Sequence, residues 1–154
     1  LAIGQALRAS SQGKSVIIIQ FLKGNERREL DFLEELDQLD IKIFRFEKME
    51  TCYDQLNEEE QVEEERNILN GLNFARKVIA TQECDFLVLD EILGLVDLGI
   101  ITCEDVIRLI DMKDESVELI MTGRHLPEEL IPYADYISRL DIVKGACSEK
   151  PSCM

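Results

Sequence analysis

Histidine is nearly missing from this chain: it occurs once, as His125. A Ser-His-Asp triad or a histidine-rich metal centre therefore has almost no material. Basic residues are also scarce, 17 Lys and Arg against 32 Asp and Glu, for a net charge of −15. Such a balance argues against nucleic acid as a partner, because phosphate backbones select basic surfaces. An anionic small ligand needs only a local positive pocket and stays open. No apolar run approaches the ~20 residues of a membrane span, so no membrane association is expected. No signal peptide is visible either, since Leu1-Ala2-Ile3-Gly4 reads as a helix already under way. The chain does not begin with Met and reads as a fragment. The 5 cysteines, Cys52, Cys84, Cys103, Cys147 and Cys153, are odd in number and contain no C-x-x-C. A disulfide framework or zinc site is disfavoured, and reduced thiols in a cytoplasmic protein are expected.

What is present suits one globular domain. The 154 residues are 45% hydrophobic and 32% charged, enough to close one core. Ile3, Ala6 and Leu7 mark a helix over residues 1–11, stopped near Gly13-Lys14. Val16–Ile19 is a β-branched strand leading into Gln20-Phe21-Leu22-Lys23-Gly24. Leu30, Leu33, Leu36 and Leu39 predict a helix over 26–39, and Ile41, Ile43, Phe44 and Phe46 a strand. Residues 47–56 read as a loop. Asn57 can cap a long helix reaching Thr81, with Val62, Leu69, Leu72 and Ile79 on one face. Its glutamate runs, Glu58–Glu60 and Glu63–Glu65, read as solvated surface. A short helix follows Glu91, another starts at Thr102 with Asp105 placed for a capping box, and Val117–Met121 is a strand. Pro127 opens a further helical turn through Leu130 and Ile131, and Tyr136–Leu140 reads as a last strand. Strands alternating with helices predict an α/β domain over residues 1–144 with a parallel sheet, and an irregular tail over 145–154.

The chemistry gathers at predicted strand ends. Phe86-Leu87-Val88-Leu89 runs into Asp90-Glu91, a Walker B-like pattern in which two carboxylates can hold Mg²⁺ directly or through water. The plainer reading is that the two acids merely start the next helix, where negative charge suits the dipole. A second strand ends in Gln20 and Lys23, a third in Thr122-Gly123-Arg124. In an open parallel sheet all three ends can line one crevice. There Gly123 would let backbone approach a ligand, and Arg124 offers a planar fork for phosphate oxygens. Arg124 could equally pair with a surface carboxylate. No glycine-rich phosphate loop is present; Gly13-Lys14-Ser15 follows a helix and precedes a strand, the reverse of the required order.

Taken together, several segments resemble the P-loop type of ATP:cob(I)alamin, or corrinoid, adenosyltransferases. They are Ala2–Ala9, Gly13–Val16 leading to Gln20–Gly24, Leu56–Glu59, Val88–Glu91, Leu119–Arg124, Pro127–Ile131 and Ala134-Asp135. The resemblance runs from residue 1 to about 144. It implies a three-layer P-loop NTPase (RecA-like) α/β fold with a mostly parallel sheet, its first strand and P-loop missing from this chain. It also implies ATP with Mg²⁺, and a corrinoid whose Co(I) attacks the ribose 5′ carbon and expels triphosphate.

By position, Asp90 and Glu91 match the acidic pair near Mg²⁺, and the resemblance implies that Glu91 and Arg124 carry catalysis. Gln20, Lys23, Thr122 and Arg124 match the nucleotide side. Tyr53 and Asn57 match the corrinoid side, where the family carries an aromatic segment and this chain has Asp54 in place of a tryptophan. A homodimer is implied as well. Two other readings of the residues stay open: a non-catalytic module that binds a partner protein, and a generic RecA-like ATPase.

Overall fold

The computed structural model describes residues 1–22, 30–46 and 51–145. Helix α1 spans Ala2–Ser11, strand β1 Val16–Gln20, α2 Asp31–Glu34 and β2 Ile41–Arg45. Next come α3 at Glu58–Thr81, β3 at Phe86–Asp90, α4 at Ile92–Asp97, α5 at Cys103–Met112 and β4 at Glu118–Met121. Two 3₁₀ turns lie at Tyr53–Gln55 and Glu128–Tyr133. The four strands form one parallel sheet in the order β2-β1-β3-β4.

Strand alternation splits the core into two layers. Val16, Ile18, Phe86 and Val88 point to one face, where Ala6 and Ala9 of α1 and Leu33 of α2 cover them. Ile17, Ile19, Leu87 and Leu89 point to the other, under Ile68, Leu72 and Ala75 of α3 and Leu109 of α5. Both central strands are buried along their whole length. That is why they read as unbroken apolar runs rather than as alternating ones. The result is the three-layer α/β arrangement expected from the sequence. Among the described residues no helix is long and apolar enough to cross a membrane.

The caps explain most element boundaries. Gly13 takes the left-handed φ of 84° that ends α1. Asn57 accepts from the Glu60 N–H while Glu60 reaches back to the Asn57 N–H, a complete capping box on α3. Thr102 and Asp105 make the same exchange on α5.

Five expectations need correction. The helix foreseen over 26–39 is described only from Leu30, and its α-helical part ends at Glu34. The acidic residues Glu35 and Asp37 are poorly suited to a helix carboxyl end, where the dipole repels negative charge. The α3 stripe matches the expected one only in part: Leu72 and Ile79 are buried as expected, together with Ile68, Gly71, Ala75 and Val78, while Val62 and Leu69 are exposed. Glu64 lies on that buried stripe, four residues before Ile68, and is 2% exposed, so the second glutamate run is not all surface.

Tyr136–Leu140 forms no strand; Tyr136 is 95% and Leu140 77% exposed. Among the described residues no neighbouring strand pairs with it, and apolar alternation without a ladder does not hold a strand. Cys52 is disulfide-bonded, whereas Cys84 and Cys103 are free thiols. Linear cysteine spacing does not report which thiols meet in space.

Gly71 lets α3 approach the residues just past β1 and β2 closely. A Cβ there would lie 2.5 Å from Phe46 Cγ and 2.8 Å from Phe21 Cε1. Helix propensity alone favours Gly→Ala by about 1 kcal/mol. Overpacking opposes it with about 1–3 kcal/mol. Gly71→Ala is expected to lower the urea midpoint without changing the m-value; a raised midpoint would show that the contact is not tight.

Candidate functional site

Parallel strands deliver their last residues to one edge, because all their carboxyl ends point the same way. Gln20 of β1 stands opposite Asp90 of β3, and β4 runs beside β3 with Met121 opposite Leu89. Thr122 therefore emerges next to Asp90. Four of the expected site residues meet there. Gln20 Nε2 donates to Asp90 Oδ2 at 3.3 Å. The Thr122 hydroxyl donates to Asp90 Oδ1 at 2.7 Å, and its oxygen accepts from the Glu91 N–H at 2.8 Å. Asp90 is 7% exposed. A carboxylate at that depth requires hydrogen-bond donors, and strands on both sides supply them.

The backbone turns sharply just beyond. Glu91 has φ 63° and Leu22, two residues past β1, has φ 54°. The left-handed region costs a non-glycine residue roughly 1–2 kcal/mol. Both turns converge on Gly94 in α4: a Cβ there would lie 3.1 Å from Leu22 Cδ1 and 3.5 Å from Glu91 Oε2. Strained non-glycine residues gathered at the ends of adjacent strands make this edge a candidate functional site. Sequence reasoning missed Leu22 and Gly94, since neither residue type signals a strained turn by itself.

Gly123 is pinned by protein rather than left open to ligand. A Cβ there would lie 2.4 Å from Leu93 Cβ, and the Leu93 N–H donates to the Thr122 carbonyl at 3.2 Å. The close approach that this glycine permits is that of α4. Arg124 follows, exposed, on the loop after β4. His125 Nδ1 lies 3.2 Å from Asp97 Oδ2 and ties the same loop to the end of α4. Lys23 lies outside the described residues.

The donor set suits a hard divalent cation that shares its shell with phosphate and water. Asp90 and Glu91 bring carboxylates to one strand end. Gln20, 4% exposed, has an amide oxygen with no hydrogen-bond partner among the described residues. Among those residues no cluster of three or more His, Cys, Asp or Glu could cage a metal alone. One or two carboxylates completed by phosphate oxygens and water is the usual Mg²⁺ arrangement.

Tyr53 and Asn57 are both held by the start of α3. The Asn57 side chain is spent on the capping box. The Tyr53 hydroxyl donates to Glu65, and Gln61 Nε2 donates to the Tyr53 carbonyl at 3.2 Å. Burial first, then the Glu65 carboxylate, pushes the Tyr53 phenol from 10.0 up to about 12.

A family model described as ATP:corrinoid adenosyltransferase BtuR/CobO/CobP matches residues 1–152. The Corrinoid adenosyltransferase of Escherichia coli strain K12 is 29% identical over 150 residues, covering 94% of this chain and 71% of its own length. The Corrinoid adenosyltransferase CobA of Salmonella typhimurium is 27% identical over 148 residues with the same coverages. An uncharacterized protein of Nostoc, all2391, is 28% identical over 151 residues, 37% of its length.

A group whose folded pKa is raised binds its proton more tightly when folded. The buried, protonated Tyr53 phenol therefore favours the fold below pH 10.0, and that contribution is lost as pH rises through about 12. An ultraviolet titration should show a phenol ionising near 12 that Tyr53→Phe removes. Persistence of that component in the variant would detach it from Tyr53.

Proposed function

The chain belongs to the ATP:corrinoid adenosyltransferase family, and from that membership we propose that it transfers the 5′-deoxyadenosyl group of ATP to the Co(I) of a corrinoid. The observation that carries this reading is the junction of Gln20, Asp90, Glu91 and Thr122 at the carboxyl end of a parallel sheet, beside two left-handed backbone turns. The names of the Escherichia coli and Salmonella relatives support the reaction class.

In this reaction the cobalt lone pair attacks the ribose 5′ carbon. A cobalt–carbon bond forms, the carbon–oxygen bond breaks, and triphosphate leaves with its electrons. Cobalt passes formally from Co(I) to Co(III), and no side-chain proton transfer is needed. Mg²⁺, when bound, supplies charge neutralisation on the triphosphate. The protein's part is to align the reacting atoms and to meet the charge that grows on the leaving group.

Glu91 offers the accessible carboxylate for the cation and Asp90 the buried one behind it. Arg124, and Lys23 beside it in role, meet phosphate oxygens. Gln20 borders the nucleotide. Tyr53 presents its ring on the corrinoid side, and Asn57 holds the helix that carries it there. Thr122 belongs to the nucleotide side as well. We place the protein in the cytoplasm, acting as a homodimer.

A second reading has one specific observation in its favour. Asp54 stands where the family resemblance implies a tryptophan facing the corrinoid, and a charge is costly beside an apolar ligand face. On that reading the chain is a binding module without catalysis. A thermal-shift measurement separates the two, because a ligand that binds the native state raises its melting temperature. MgATP or cobalamin should raise it if the catalytic reading holds; no shift with either favours the module.

Glu91→Ala should abolish ATP-dependent formation of adenosylcobalamin from reduced cobalamin. Arg124→Ala should lower kcat by about 10²–10³-fold, the usual cost of losing one transition-state donor. Unchanged turnover in Glu91→Ala would remove the acidic pair from the mechanism. Phosphate released in place of triphosphate would point to a generic ATPase instead.

A further inference from the structure

Thr122 sits one residue past β4, yet its hydroxyl makes both of its bonds to the end of β3. It donates to Asp90 Oδ1 at 2.7 Å and accepts from the Glu91 N–H at 2.8 Å. The hydroxyl's one proton is thus committed to Asp90, and no donor remains for a phosphate oxygen. The adjoining backbone is tied to the same turn, since the Leu93 N–H donates to the Thr122 carbonyl at 3.2 Å. Gly123 then lies so close that any Cβ would strike Leu93. Two hydrogen bonds and one steric contact therefore run from the end of β4 to residues 91–93. Between them stands Glu91, a non-glycine residue at φ 63°. An unsupported glutamate would relax toward right-handed backbone, and its carboxylate would swing with it.

We propose that Thr122 is a positioning residue, whose hydroxyl bridges the Asp90 carboxylate and the Glu91 amide and so fixes the left-handed turn that aims Glu91 at the cation. The cation itself rests on the function proposed above; the hold on the backbone does not. Thr122 acts on the nucleotide only through Glu91. A serine keeps both bonds; a valine keeps the shape and loses both. If residue 91 were glycine, the left-handed φ would cost nothing, and the bridge would matter less.

The test is made on the whole chain with Thr122→Val, Thr122→Ser, Glu91→Gly and the Thr122→Val/Glu91→Gly double variant. Amide hydrogen exchange at residue 91 reads the bridge directly. Thr122→Val should speed exchange there by about tenfold or more, the scale of one lost hydrogen bond, while Thr122→Ser stays near wild type. In a denaturant cycle Thr122→Val should destabilise the Glu91→Gly chain less than the parent, because interacting positions are non-additive. The cycle also decides the matter if Thr122→Val alone folds poorly, since the double variant relieves the strain.

Mn²⁺ is the cation probe, followed by its paramagnetic signal with ATP present. Its apparent Kd should rise about tenfold in Thr122→Val and return to near wild type in Thr122→Ser, the loss expected for a residue that orients a ligand. Unchanged exchange at residue 91, or an additive cycle, overturns the proposal. Faster exchange with unchanged Mn²⁺ binding overturns the link from backbone to cation. If the parent chain binds no Mn²⁺, the cation role of Glu91 fails, while exchange and the cycle still judge the bridge.

Discussion

The buried carboxylate of Asp90 is the constraint on which the functional edge depends. A carboxylate 7% exposed needs hydrogen-bond donors from within the protein. It finds them on both flanking strands, from Gln20 on β1 and from Thr122 just past β4. Satisfying one buried group therefore locks the ends of three strands together. The Glu91 turn inherits its geometry from that lock, and α4 starts from the turn. Had Asp90 been apolar, the parallel register would still bring Gln20 and Thr122 to one edge, but no side-chain hydrogen bond would tie them there.

Around this junction the molecule divides its tasks by depth. The two core layers, with Ile17, Ile19, Leu87 and Leu89 on one face and Val16, Ile18, Phe86 and Val88 on the other, make the strands rigid. The half-buried and exposed groups, Glu91 and Arg124, lie just outside that core. Rigid scaffold beneath and reachable charge above is the arrangement a charged substrate needs. The overall charge of −15 makes local geometry more important still. A polyanionic ligand is repelled by the surface as a whole and is held only where cationic groups and a shared cation stand at short range.

Burial patterns account for what could be read in advance. β1 and β3 were legible because strands buried on both faces are unbroken apolar runs, and α3 and α5 because their caps are side chains with a fixed offset. Asp90 and Glu91 stood out for the same reason: polarity breaks a run only where the strand ends. Tyr136–Leu140 misled, because apolar alternation describes a strand's faces and says nothing of whether a neighbour pairs with it. Val62 and Leu69 misled because apolar residues at helical spacing can lie on either of two adjoining stripes. The disulfide at Cys52 and the strain at Leu22 left no local trace at all.

The sequence by itself determined most of the local order of this protein: the four paired strands, the capped helices α3 and α5, where charge meets the strand ends, and which family the wording resembles. Those properties depend on residues near one another in the chain. Tertiary structure alone decided what each charged or polar group touches. It turned Thr122 from a group facing ligand into a bridge between Asp90 and Glu91, and Gly123 into a contact for Leu93. It also spent the Asn57 side chain on a cap and buried Glu64. The physical reason is range: propensity and periodicity act over a few residues, whereas a hydrogen bond between residues 90 and 122 exists only once parallel strands have been brought side by side.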